Sequence, residues 1–309
     1  MGRLSNLRAV DPVLTNLALG YSNAEFIADQ IFPMAKVSKE AGKIPKHNRQ
    51  AFKLGKTERA LRAASNRLDP EGRKFIEFSL EEHDIAVPMD YREADESDDL
   101  DVQAANTFLA QDNLLLRREK IAADLAFNPV NFDAANKVTL GGADKWTAAD
   151  SNPIEQIREG ASKIRQAVAK RPNSLLLGAT AYDALSEHPK VLERLAYSQM
   201  GVLTPQLLAA ILKLDRVIVG DAIYTNDDDT ANFDVWGDSA LLFYSRPPGP
   251  SGKRSVFEPS FGYTAFKKAL EVDKFVEQGG KIENVRATMI YKTLLVGADA
   301  GYLISDTNA

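Results

Sequence analysis

Few residues of this chain combine the type and spacing that chemistry requires. Its histidines, His47, His83 and His188, are widely scattered, and it has no cysteine. A histidine- or thiolate-built metal centre and a cysteine nucleophile are therefore disfavoured. Asp227, Asp228, Asp229 and Asp234 offer the hard oxygen ligands that calcium takes, but the glycine and distal glutamate of an EF-hand loop are missing. That cluster reads as a solvated turn. His188 precedes Pro189 with no nucleophile tied to it by spacing, and reads as a helix-terminal histidine. Trp146 and Trp236 lie in polar surroundings with glycine nearby; stacking on a base or sugar is one reading, and an anchor in a minor core or at a subunit contact is the preferred one. The pairs Glu81–Glu82 and Asp98–Asp99 would need unlike environments for acid–base work, yet they sit in a dense run of like charge. The Walker-type phosphate loop, GxGxxG, HExxH and GxSxG are all absent. No catalytic residue, metal ligand or cofactor is assigned.

The strongest signal is electrostatic. From Lys36 to Lys74 the chain holds twelve Lys and Arg against four acids, a net +8, and from Glu81 to Asp101 ten carboxylates against Arg92, a net −9. The basic stretch, KIPKHNRQAFKLGKTERALRAASNR from Lys43 to Arg67, has Phe52 as its sole aromatic. It thus lacks the stacking residues that single-stranded nucleic-acid sites add to charge. A net charge of −5 for the whole chain also argues against a surface built throughout for a polyanion. Three readings stay open: a nucleic-acid-binding loop, a solvated loop, or an arm that crosses to another copy of the chain and meets the acidic run there. In the third reading the contacts are Lys43, Lys46, Arg49, Lys53, Lys56, Arg59, Arg62 and Arg67 on one side, and Glu93, Asp95, Glu96, Asp98 and Asp99 on the other.

The elements that would hold these charges are legible. With 309 residues, 44% of them hydrophobic, the chain can bury one large core or two modest ones. No run approaches the length of a membrane span, and the start has no secretory signal. Leu4, Leu7, Val10, Val13 or Leu14, and Leu17 recur at steps of three or four, as in a short amphipathic arm. FIADQIFPMAKVS reads as strand-like. Ile76, Phe78 and Leu80 alternate with polar residues, and Ile85, Val87 and Met89 continue out of step, which predicts a bulge or new strand near Glu82 to Asp84. The strands flanking the basic stretch can pair as a hairpin with a tip of about thirty residues, too long a connection to lack a use. Ser97 to Phe127 contains neither Gly nor Pro and predicts one long helix with acids first and bases later. Asn152, Pro153 and Glu155 mark the start of a second helix in a capping-box-like pattern, and Thr204–Pro205 the start of another. Short strands are expected at 138–140, 174–177, 216–219, 240–244 and 261–265, followed by strands broken at Gly279–Gly280 and near Gly297.

This order of parts resembles the major capsid proteins of tailed bacteriophages. ADQIFPMAKVSKEAGKI is similar to the family's passage into its extended loop, NPIEQIREGASKIRQAVAKRPNSLLLGATAYDALSEHPKVLERL to its peripheral helix, and TPQLLAAILKLDRVIVGDAIY with WGDSALLFY to its axial helix and sheet. The resemblance implies an α+β fold with an N-terminal arm over 1–31, an extended β-hairpin loop over 32–87, and a peripheral domain of 88–173 and 266–309. That domain would carry the spine helix over 97–127, and an axial domain would cover 174–265. It further implies a non-enzymatic shell subunit that forms the pentamers and hexamers of an icosahedral head, assembled in the bacterial host's cytoplasm. The partners implied are other copies of the chain, a separate scaffolding protein, a portal and packaged double-stranded DNA touched non-specifically at the inner surface, with no membrane. The alternatives are an encapsulin-like bacterial compartment shell and, less favoured, a nucleic-acid-binding module using the basic loop.

Overall fold

A computed structural model describes residues 26–46, 54, 57–62, 64–67, 74–96, 99–196, 203–225, 230–247, 255–256 and 258–308. The chain runs through helix α1 (Ala28–Ile31), strands β1 (Met34–Lys36), β2 (Ala41–Lys46), β3 (Lys74–Ser79) and β4 (Glu81–Asp90), then helices α2 (Tyr91–Glu96) and α3 (Asp99–Ala126). Next come β5 (Lys137–Thr139), α4 (Pro153–Val168), β6 (Ser174–Gly178), α5 (Ala179–Glu187), α6 (Pro189–Ala196), α7 (Pro205–Leu212) and β7 (Arg216–Gly220). The last part contributes β8 (Ile223–Thr225), β9 (Asn232–Asp234), β10 (Ala240–Phe243), β11 (Gly262–Val276), β12 (Ile282–Leu295) and β13 (Gly301–Ser305). The amphipathic arm expected before residue 26 lies outside the described residues.

The strands form a four-stranded sheet, β1-β11-β12-β4, a five-stranded sheet, β5-β13-β10-β6-β7, and two isolated pairs, β2-β3 and β8-β9. The five-stranded sheet draws β6, β7 and β10 from 174–265 and β5 and β13 from the segments on either side. Its central strands are continuously apolar, since both faces are covered. One face meets Ile154, Ile157 and Ile164 of α4, whose apolar side matches the predicted helix. The other meets Ala122, Ala123 and Ala126 of α3 together with Phe261 and Trp236.

Helix α3 connects the two sheets. At 1.5 Å per residue its 28 residues reach about 42 Å. Its middle turns place Ala110 and Leu114 on Ala287, Met289 and Tyr291 of β12 in the four-stranded sheet, and its last turns supply the alanines just named. Small residues there let the helix approach the sheet closely.

The main local differences from the sequence reading have tertiary causes. FIADQIFPMAKVS is a helical turn followed by a strand: Glu119 of α3 accepts the N–H groups of Ile27 at 2.8 Å and Ala28 at 2.9 Å, which supplies the N-terminal partners a turn of helix needs. Of the two readings of the phase change near residue 82, the new strand holds and the bulge does not: β3 ends at Ser79, Leu80 turns inward, and β4 starts at Glu81 and runs unbroken as the partner of β12, while the irregularities of that sheet lie in β11, between Phe266 and Glu271. Asn152 does not cap α4 with its side chain, because its amide donates to Glu155 Oε2 at 2.7 Å. Beyond the expected 261–265 strand, β11 continues to Val276, lengthened by its pairing with β12.

Glu119 is 1% exposed and also accepts the Trp236 indole N–H at 2.8 Å. Burial pushes its carboxyl up, and the N–H donors and the Arg118 guanidinium oppose that shift. Replacing Glu119 with Ala strands these buried donors and is expected to cost about 2–3 kcal/mol, read by chemical denaturation of the subunit.

Candidate intersubunit surface

The basic loop is the tip of a hairpin whose base is fixed in the core. β2 and β3 pair antiparallel with Ile44 opposite Ile76, and Ile44 is buried with Leu80, Tyr263 and Leu294. Lys43 faces Glu77 directly across the pair and meets it at 2.7 Å, a contact that lowers the Glu77 carboxyl and raises the Lys43 ammonium. Lys43 is thus answered within its own hairpin. The side chain of Lys46, and all of Arg49, Lys53 and Lys56, lie outside the described residues. Arg59, Arg62 and Arg67 are described and exposed. Asn66 donates to the Glu58 carbonyl at 2.9 Å, closing the turn that presents Arg59, Leu61 and Arg62, with Arg62 at a left-handed φ of 68°. Leu61 is 91% exposed and Leu54 fully so, a placement that composition and periodicity could not foresee.

The acidic run divides. Glu81 is bonded to Lys292 of β12, whose hydrogen bond lowers its carboxyl. Arg286, also on β12, holds the buried Asp273 at 2.6 Å and lies 4.0 Å from Asp84. Burial lowers the His83 imidazole, which stacks on Tyr291 at 4.4 Å, and burial pushes the Tyr291 phenol up to about 12. Cations some two hundred residues downstream therefore answer the first part of the run, a pairing invisible in local sequence. Glu93 is exposed and accepts the Asp90 N–H at 3.2 Å; Asp95, Glu96 and Asp99 lie on helices with side chains outside the described residues, and Asp98 is outside them altogether.

The other residues singled out for chemistry are structural. Both tryptophans are buried, Trp146 donating to Gln156 Oε1 at 2.7 Å and Trp236 to Glu119. Ser151 Oγ and His188 Nε2 lie 3.0 Å apart, but both residues are buried and brace the turn between α5 and α6. Burial lowers the His188 imidazole. Asp227, Asp228 and Asp229 are outside the described residues, and among the described residues no cluster of three metal-ligating side chains occurs.

A cleft of about 540 Å³ opens between the end of α3 and the segment 234–239, lined by Lys120, Asp124, Phe127, Pro129, Asp234 and Asp238 among others. Hydrogen bonds tie down its lip. Gly178 N donates to Ser239 O at 3.1 Å, Thr307 bonds the Asp238 carbonyl, and a Cβ at Gly178 would lie 1.7 Å from Gly237 O. Asp124 pairs with Lys120 at 2.6 Å.

The site is thus a charged β-hairpin loop on a body of two sheets joined by one long helix, with no assembled catalytic constellation among the described residues. The chain is 46% identical, over 308 residues and the full length of both proteins, to a major capsid protein of Burkholderia phage BcepMu. It belongs to the phage major capsid protein family. Residues 128–273 match the family model described as phage major capsid protein E. A phage-related protein of Bordetella bronchiseptica RB50 superposes with a TM-score of 0.80 at 28% identity, over 97% of this chain and 98% of that one. The SrpI encapsulin of Synechococcus elongatus PCC 7942 shares the fold alone, with a TM-score of 0.51 at 11% identity over 97% and 98% of the two chains. This capsid protein is accordingly a subunit of the virion shell with the α+β capsid fold.

Within the capsid subunit, the two kinds of ion pair should behave differently. Arg286→Ala leaves Asp273, 1% exposed, without its guanidinium and is expected to cost about 3 kcal/mol. Lys43→Ala removes an exposed, solvent-screened pair and should leave the midpoint essentially unchanged. Urea midpoints of the two variants check this.

Proposed function

We propose that this capsid protein builds the pentamers and hexamers of an icosahedral head around double-stranded DNA, with the β2–β3 loop as the arm that grips a neighbouring copy. The observation that carries the reading is the loop itself: a hairpin rooted in the core at Ile44, whose tip exposes Arg59, Leu61, Arg62 and Arg67. Monomers gain nothing by holding apolar and cationic side chains in solvent on a structured turn, whereas a shell can bury them. In this reading 1–31 is the arm, 32–87 the extended loop, α3 the spine of a peripheral domain of 88–173 and 266–309, and 174–265 the axial domain.

The remaining roles follow from the same reading. The protein is a structural subunit without catalysis, assembled in the host cytoplasm with a separate scaffolding protein and a portal, and it touches packaged DNA without sequence preference. Surface ion pairs contribute about 0–1 kcal/mol each, so single contacts stay reversible while many around a closed shell sum to a stable one. A nucleic-acid-binding role for the loop has less support, since Lys43 is spent on Glu77.

Reversing charge at the tip, Arg59→Glu with Arg62→Glu, should leave the soluble subunit folded while reducing assembled heads at least tenfold. Electron microscopy and size-exclusion chromatography of particles from cells supplying the other head proteins read the outcome. Normal yields of normal shells would refute the role given to the loop.

A further inference from the structure

The apolar side of α4 packs on the five-stranded sheet, and its outer side carries a row of cations. From Gly160 to Tyr182 the sequence holds Lys163, Arg165, Lys170 and Arg171 and no carboxylate. Arg158 precedes them on the same helix, where Glu155 and Glu159 are confined to the first two turns. We infer that this face, from Arg158 to Arg171, is where the shell subunit touches packaged double-stranded DNA, gripping phosphates and reading no bases. The inference rests on the reading of the protein as a subunit of a DNA-filled head and specifies the surface that meets the DNA.

Three observations support the assignment. The first is availability. Arg158, Lys163, Arg165, Lys170 and Arg171 are all exposed, and among the described residues none of them is in an ion pair, whereas Lys43, Lys120, Lys267, Arg286 and Lys292 each hold a carboxylate. The second is that the row exceeds what the helix itself needs. The helix dipole favours Arg165 in the last turn. It does not call for Arg158 and Lys163 in earlier turns, nor for Lys170 and Arg171 beyond the left-handed cap at Ala169. The third is preorganisation. Lys163 lies one turn after Glu159, yet its ammonium turns to Tyr302, 3.2 Å from the hydroxyl and 4.9 Å from the ring centre. Lys170 sits in the same way on Tyr244, at 3.4 and 5.2 Å. Each ammonium keeps further N–H donors to give, and fixing it beforehand lowers the entropy lost when a phosphate arrives. The dimensions suit a duplex. From Arg158 to Lys170 the row runs about 18 Å, a length over which DNA carries about ten phosphate charges. Ser162 and Gln166, exposed between the cations, add the neutral donors that phosphate contacts use. The two tyrosine rings are occupied by lysines, so bases have no platform to stack on and the contact is with the backbone.

Two measurements on the full chain test the surface. In the first, fluorescence anisotropy follows binding of the soluble subunit to a random-sequence duplex of about 30 base pairs, with melting temperatures checking each fold. The helix variant is Arg165→Gln with Lys170→Gln and Arg171→Gln; the control, Lys36→Gln with Lys39→Gln and Lys281→Gln, removes the same charge from other exposed positions. At about 50 mM KCl the helix variant should bind at least tenfold more weakly than the parent, with a salt dependence of log K shallower by about 2.7, and the control should stay within about threefold. In the second, ultraviolet crosslinking of DNA-filled heads, nuclease trimming and peptide mapping should find nucleotide adducts within 158–171. No duplex binding by the parent, an equal loss in the control, or adducts confined to other segments overturns the assignment and leaves the capsid reading standing. Parental particles without nuclease-protected DNA overturn that reading itself. A helix variant that binds the duplex like the parent but builds no heads makes the face a contact between proteins, and the inference falls. Should the triple variant not fold, Arg165→Gln with Arg171→Gln, which keeps Lys170 on Tyr244, replaces it, and unchanged affinity of that chain again rejects the surface.

Discussion

The architecture hinges on one buried carboxylate. Glu119 reaches from the long helix to the N–H groups of Ile27 and Ala28 and to the Trp236 indole, so one side chain joins the first turn of α1, the long helix and the segment that follows β9. An isolated carboxylate would be costly at 1% exposure. Three N–H donors and the adjacent Arg118, itself bound to Asp29 at 2.7 Å, offset that cost and make the junction directional where apolar packing alone would not be. Around it lies the apolar cluster of Ile31, Phe32, Phe261 and Phe243, which holds the spine against the five-stranded sheet.

From that fixed centre the chain sends out elements that its own core does not cover. The base of the β2–β3 hairpin is buried at Ile44 and its tip is almost wholly exposed at Leu61. This gradient along one hairpin separates side chains that pack in the core from side chains that face solvent. The division of charge follows the same logic: pairs at the core, such as Arg286 with the buried Asp273, are satisfied inside the chain, while the arginines of the tip are held out on a closed turn.

Much of this was legible in the amino-acid order. The uninterrupted helix from about residue 99 to 126, the apolar side of α4, the Thr204 cap and the pairing of the strands that flank the basic stretch all follow from local propensity and periodicity, which act over a few residues. The layout of these parts already resembled a phage capsid subunit. Of the candidate contact residues, Arg59, Arg62 and Arg67 are exposed, and the Lys43–Glu77 pair follows from strand register, which sequence does not give.

What only the tertiary structure decided are the contacts between residues far apart in the chain. Sequence shows that Glu81 and Asp84 are acidic, but not that Lys292 and Arg286 lie beside them, because that depends on β4 pairing with β12. It shows a glutamate on a long helix, but not that its oxygens cap a turn 91 and 92 residues away. It shows Asp124, Asp234 and Asp238 far apart along the chain, but not that they line one cleft. Propensity and patterning are properties of neighbours along the chain, and burial, charge pairing and concavity are properties of neighbours in space. The sequence by itself therefore determined the elements and the kind of protein they build, and folding determined which charges are paired across the sheets.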